Sequence, residues 1–180
     1  MSPSLVAFYT NWSQKANAIV SNELAAVYDK YITRFVIYNC LYNQVTERLH
    51  ASGFPLPKKI YDNKAATENV VSFLGPDNLI AQLHGNQNDI EAIINLIDAE
   101  NFYIILRYGE RQRPEDLKLL AELREGNDQK RAIAILKVAY HVRCNIFHGH
   151  KDYREYQREL IEPLTRIITK VSQVLYEALL

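Results

Sequence analysis

The sequence predicts an all-α domain, an up-and-down helical bundle with short additional helices in its middle, and three stretches carry that prediction. Between Ser21 and Leu49, residues Leu24, Tyr28, Tyr31, Phe35, Tyr38, Tyr42, Val45 and Leu49 recur at helical spacing for about eight turns. Between Asp128 and His148 an apolar stripe runs through Ile135, Leu136, Ala139, Val142, Ile146 and Phe147. From Asp152 or Tyr153 to the C-terminus, Tyr153, Tyr156, Leu160, Leu164, Ile167, Val171, Val174 and Ala178 form the third stripe. Such stripes need burial, so the three helices are expected to pack against one another.

The remaining elements follow in order. Residues 1–17 fit a short strand through Leu5-Val6-Ala7-Phe8-Tyr9, an irregular arm, or the start of a helix. Gly53-Phe54-Pro55-Leu56-Pro57 ends the first long helix, because proline cannot continue it. From about Ala65 to Asp98 there is room for three short helices, separated by Gly75-Pro76-Asp77 and by residues 85–89. Phe102-Tyr103-Ile104-Ile105-Leu106 is β-prone and bounded by Gly109, but a lone strand has no partner, so an extended connector or a helix continuation is expected. Pro114-Glu115-Asp116 opens another helix and Gly126 closes it. Asn127 is expected to cap the next one. Pro163 is expected to kink the last helix near Glu159–Pro163.

Composition narrows the function. The 180 residues are 48% hydrophobic with no formal net charge, enough for one core and unlike a generic polyanion binder. The halves differ in sign: residues 1–106 carry seven Lys and Arg against ten acids, and residues 107–180 carry fourteen against eleven. That bias favours a local phosphate site in the C-terminal half over a basic stripe. Two cysteines, Cys40 and Cys144, and the lack of a signal peptide point to free thiols in a reducing cytoplasm. No apolar run is long enough to cross a membrane.

The densest chemistry lies in Tyr140-His141-Val142-Arg143-Cys144-Asn145-Ile146-Phe147-His148-Gly149-His150-Lys151. At about 100° per residue, Arg143 projects into the apolar stripe, while Lys137, His141, Cys144 and His148 lie roughly opposite. A permanent charge among core positions is costly unless a carboxylate, a phosphate or backbone carbonyls pair with it. Gly149 reads as a left-handed cap, which leaves His148 on the last turn beside the negative end of the helix dipole.

Arg143-Cys144-Asn145-Ile146-Phe147-His148-Gly149 resembles the Arg-x4-His signature of the HEPN superfamily, small helical bundles that include metal-independent endoribonucleases. It is most similar to the branch whose motif reads Arg-Asn-Asn-Leu-Phe-His-Gly-Gly-Lys. Cys144 stands in place of the first asparagine and His150 in place of the second glycine, with Lys151 following. Arg34-Phe35 and Tyr38-Asn39-Cys40-Leu41-Tyr42-Asn43 resemble the Asn-Ala-Leu-Tyr run of that branch's first helix. The resemblance spans about residues 21–49 and 130–180.

The resemblance implies an RNA-cleaving enzyme that needs no metal or cofactor and works as a homodimer, with two Arg-x4-His motifs facing each other in one composite site. It also implies the company of toxins and antiviral-defence effectors, with an antitoxin or another protein as partner. In such a reaction the ribose 2′-hydroxyl attacks the adjacent phosphate and a 5′-hydroxyl leaves. His148 then suits the general acid/base and Arg143 the clamp on phosphate and transition state. Asn145 would orient the phosphate or His148, and Lys151, His150, Asn39 and His141 are the candidates for substrate binding. Asn39, on or beside the buried stripe, reads first as a bond to a neighbouring helix and second as a site residue. Cysteine after the arginine is a poor hydrogen-bond donor where the family usually has a polar residue.

Other readings compete. A non-catalytic HEPN-type module would use the same pocket to bind RNA, a nucleotide or a protein. His141, Cys144 and His148 share a helical face and with His150 are metal-capable, but one helix alone makes an awkward tetrahedral zinc site. Arg143 paired to a buried acid or a helix end would be purely structural. Cys144 as a nucleophile lacks a neighbouring acid in sequence to orient a histidine base.

Overall fold

The computed structural model describes residues 3–149 and 153–180. Its central element is the long helix α2 (Leu24–Ala51), preceded by α1 (Pro3–Ala18). Residues 24–51 contain neither glycine nor proline, and their aromatic stripe turns wholly inward: Tyr28, Tyr31, Phe35, Tyr38, Tyr42, Val45 and Leu49 are all buried. The helix stops in a Schellman arrangement, with Gly53 at φ +75°, its N–H on His50 O and the Phe54 N–H on Leu49 O. The N-terminal segment, ambiguous in sequence, is helical because Leu5 and Ala16 bury against α2 while Tyr9 stacks on Tyr176 at 3.7 Å.

A helical run follows from α3 (Asp62–Lys64) through a π turn (Ala65–Asn69) to α4 (Val70–Leu74). Ala65 and Ala66 are buried there, and Tyr38 of α2 donates its hydroxyl to the Ala66 carbonyl. Next come α5 (Pro76–Gln82), a 3-10 turn (His84–Asn86) and α6 (Gln87–Asp98). These are the short helices expected in the middle of the chain. The β-prone stretch departs from expectation. It does have a partner: β1 (Leu106–Arg107) pairs antiparallel with β2 (Glu110–Arg111), Leu106 opposite Arg111 and Arg107 opposite Glu110. Tyr108 and Gly109 between them both have positive φ, +52° and +79°, as a two-residue I′ turn requires. Gly109 is the turn of a hairpin rather than the end of a strand.

Helix α7 (Arg113–Glu125) begins with proline in its first turn. Its Asp116 is wholly buried, and its carboxylate accepts the N–H groups of Ile104 (3.3 Å) and Ile105 (2.9 Å). Gly126 closes α7 at φ −64°, and a Cβ there would lie 2.3 Å from Glu122 O, so glycine is required for closeness rather than handedness. Asn127 caps α8 (Asp128–Phe147) by accepting the Lys130 N–H at 3.0 Å. Helix α9 (Arg158–Leu179) starts later than expected, after a 3-10 turn at Glu155–Gln157, and continues through Pro163. Tyr153 and Tyr156 therefore fall outside its stripe. They are largely exposed and lean on Tyr28 and Phe102 respectively.

Helix α2 packs most extensively against α9, with α1 alongside α2 and α6 on α9. The expected mutual packing of three helices needs correction at α8. The close backbone neighbours of α8 are α7, α5 and the π turn. Its link to α2 runs through long side chains, among them Tyr31, whose hydroxyl donates to Ala139 O at 2.7 Å. Bulky tyrosines at the contact hold the two backbones apart.

Replacing Asp116 strands one buried and one half-buried N–H group. Asp116→Ala should cost about 3 kcal/mol and lower Tm by about 6–12 °C in a chain of this size. Glu115→Ala, one residue away on the surface side, should leave thermal unfolding monitored by circular dichroism nearly unchanged.

Candidate functional site

The C-terminal half of α8 sorts its residues by face. Ala139, Val142 and Asn145 point inward, while Arg143 lies at the edge of the buried stripe, half-buried and turned toward α2. Phe147, expected in the stripe, is 60% exposed. It stands one turn beyond Arg143 at the end of the helix, where its ring covers the guanidinium at 4.7 Å. Phe35 approaches the same guanidinium at 5.6 Å. These three side chains, with Ile32, Val36 and Asn39 of α2, line a concavity of about 100 Å³. Arg143 and Asn39, named independently from the sequence, thus meet.

Arg143 is unlike the other half-buried arginines. Arg34 reaches the Asn17 side chain, Arg113 the Ile97 carbonyl, Arg131 the Gln87 side chain, and Arg158 the Asn22 carbonyl with two glutamates. Among the described residues Arg143 has no oxygen partner: one Nη donates weakly to Cys144 Sγ at 3.8 Å, and its buried Nε, like those of Arg34 and Arg131, has no partner. Among the described residues, no ion pair with a buried acid and no cap on a helix end is formed by Arg143. Burial works against its charge, but the Cys144 contact and the nearby Tyr42 and Asp62 outweigh it and raise the pKa above the ordinary arginine value.

Behind the concavity lies a polar chain that the sequence did not disclose. The Asp62 carboxylate accepts Tyr42 Oη–H at 2.7 Å on one oxygen and Tyr140 Oη–H at 3.1 Å on the other. The Tyr42 hydroxyl also contacts the Asn39 side-chain amide. Burial, reinforced by Asp62, pushes the Tyr42 hydroxyl's pKa well up, and burial with Cys144 and Asp62 does the same for Tyr140. Both phenols stay protonated donors, and Asp62 is committed to them rather than to Arg143. No spacing rule links residues 42, 62 and 140; only the fold brings them together.

The other expected site residues are dispersed. Asn145 is corrected: it is 4% exposed and donates its amide to Ile104 O at 2.9 Å, so it ties down a backbone segment and does not face the concavity. His148 is exposed at the C-cap of α8, its N–H on Cys144 O, with Gly149 left-handed at φ +69° as expected. His141 sits on another face, edge-on to Tyr140, with its pKa lowered by burial and by Lys137. His150 and Lys151 lie outside the described residues. Among the described residues no three His, Cys, Asp or Glu side chains are placed to hold a metal, and no helix is long and apolar enough to cross a membrane. Compared with known proteins, the chain matches no family model, no curated protein and no solved structure.

The lowered pKa of His141 has a stability consequence of definite sign. Below its ordinary value of 6.5 the unfolded chain takes up a proton that the folded one refuses, so folding stability should fall as pH drops through that value. Urea unfolding between about pH 5 and pH 7 should show this slope, and His141→Gln should flatten it.

Proposed function

We propose that the protein is a metal-independent endoribonuclease of HEPN type. The observation that carries this reading is the half-buried Arg143, held between two aromatic rings beside Asn39 and lacking an anionic partner among the described residues. A guanidinium so placed is equipped to receive a phosphate, which would satisfy its planar fork. In the reaction the 2′-hydroxyl attacks the adjacent phosphorus, a pentacoordinate species forms, and the 5′-oxygen leaves. Arg143 stabilises the added charge on the phosphoryl oxygens, and His148 moves a proton at the 2′- or 5′-oxygen. Asn39 replaces Asn145 as the amide beside the phosphate, and the Tyr42–Asp62–Tyr140 chain holds it in place.

One observation favours a second reading, a non-catalytic binding module. Five residues of α-helix turn His148 about 140° from Arg143 and raise it about 7.5 Å along the axis, so one chain alone does not aim both at one phosphate. A two-fold dimer resolves this by setting the Arg143 of one chain opposite the His148 of the other. Sedimentation at micromolar concentration should therefore give a dimer. A monomer that still cleaves RNA would rule out the composite site.

Purified protein incubated with total RNA in excess chelator should cut it. His148→Ala and Arg143→Ala should each lose on the order of 10²-fold or more in cleavage rate, and the double variant should be scarcely worse than the poorer single one. Arg143→Lys keeps the charge but loses the planar fork, so it should bind RNA nearly normally and cleave poorly. If both alanine variants bind RNA like the wild type, and the wild type does not cleave, the reading fails.

A further inference from the structure

The hairpin β1–β2 has no part in the concavity, yet it is built at a cost that packing does not offset. Tyr108 holds φ +52°, a conformation that bulky side chains rarely adopt, at the place in a two-residue turn that ordinarily takes Asn, Asp or Gly. Its ring is 97% exposed, so no burial compensates for the strain. Strain kept at an exposed position is a reason to look for function there.

The root of the hairpin is mounted rigidly on the motif helix. Just before β1, the buried carboxylate of Asp116 holds the N–H groups of Ile104 and Ile105, and the buried amide of Asn145 holds the Ile104 carbonyl. The Ile105 carbonyl in turn accepts the Gln112 N–H at 3.1 Å and closes the ladder. Asn145 and His148 are three residues apart at the end of α8, Asn145 turned into the core and His148 exposed at the C-cap. The hairpin root is thus tied to the last turn of α8, the end that carries His148. Tyr108 follows Ile104 by four residues and is within about 14 Å of it even fully extended.

The charges at the tip fit one nucleotide. Arg107 and Glu110 sit opposite each other in register, which leaves the exposed Arg111 as the net positive charge, its guanidinium 4.1 Å from the Tyr103 ring. An open aromatic face and a cation on one hairpin are the equipment with which proteins stack a base of a single strand and meet its phosphate. We propose that the hairpin is a substrate arm, in which Tyr108 stacks on a base of single-stranded RNA lying across His148. This rests on the ribonuclease reading above and adds to it a contact outside the Arg143 concavity.

The test uses the full chain and a short labelled single-stranded RNA, 2′-O-methylated so that it binds without being cut, together with cleavage of unmodified RNA. Tyr108→Asn relieves the backbone strain, so Tm should rise by about 2–4 °C, while RNA affinity should fall about tenfold, the size of one base–aromatic stack. Tyr108→Phe should retain affinity within about twofold, because the ring and not the hydroxyl makes the contact. Wild-type cleavage with unchanged affinity in Tyr108→Asn would overturn the arm and leave the ribonuclease reading standing. A wild type that neither binds nor cleaves RNA would overturn both.

Discussion

The structure depends on satisfying the tyrosine hydroxyls along the buried face of α2. Each phenol brings a large apolar body into the core and a polar tip that costs free energy if left without a partner. Tyr28 reaches Gln157 ahead of α9, Tyr31 the Ala139 carbonyl of α8, Tyr38 the Ala66 carbonyl of the π turn, and Tyr42 the Asp62 carboxylate. Four hydroxyls on one helix thus specify where four other segments must lie. A leucine stripe would bury comparable area without choosing among those segments. The π turn belongs to the same constraint, since Ala65 and Ala66 supply the small side chains and the carbonyl that Tyr38 needs.

Charge is handled in a similarly economical way, and this gives Arg143 its meaning. Several cations end on a carbonyl near a helix terminus or on a carboxylate. Lys30 meets Ile19 O just past α1, Arg113 meets Ile97 O in the last turn of α6, and Arg48 meets Leu179 O at the end of α9. These pairings place positive charge at the negative ends of helices. Arg143, one turn before the C-terminal end of α8, meets no such carbonyl among the described residues and has aromatic faces where the others have oxygens. Cation–π contacts hold its plane without using up its hydrogen-bonding edge.

Asn145 shows how a residue can belong to a motif and yet work away from its chemistry. Its position two residues after Arg143 suggests a phosphate contact, but two residues of helix are about 200°, and that rotation turns it into the core. There it joins Asp116 in gripping the backbone of Ile104. Its contribution is to fix a loop relative to α8, which no local pattern around Asn145 could have revealed.

Much of the fold was legible in the sequence because it is local. The long helix of tyrosines, the caps at Asn127 and Gly149 and the breaks at Gly53, Gly75 and Gly126 follow from periodicity and from backbone rules that act over a few residues. The hairpin was missed because Tyr-Gly lacks the usual turn signature and two-residue strands leave no alternation to detect. Phe147, Tyr153 and Tyr156 were misplaced in buried stripes because periodicity says which face a residue shares, not whether a neighbour covers it. The candidate site divides in the same way. Arg143, His148 and Asn39 could be named from residue type and helical position. The aromatic bracket around Arg143 and the meeting of Tyr42, Asp62 and Tyr140 belong to the tertiary structure alone, since hydrogen bonds between residues 20 and 78 positions apart leave no trace in local sequence.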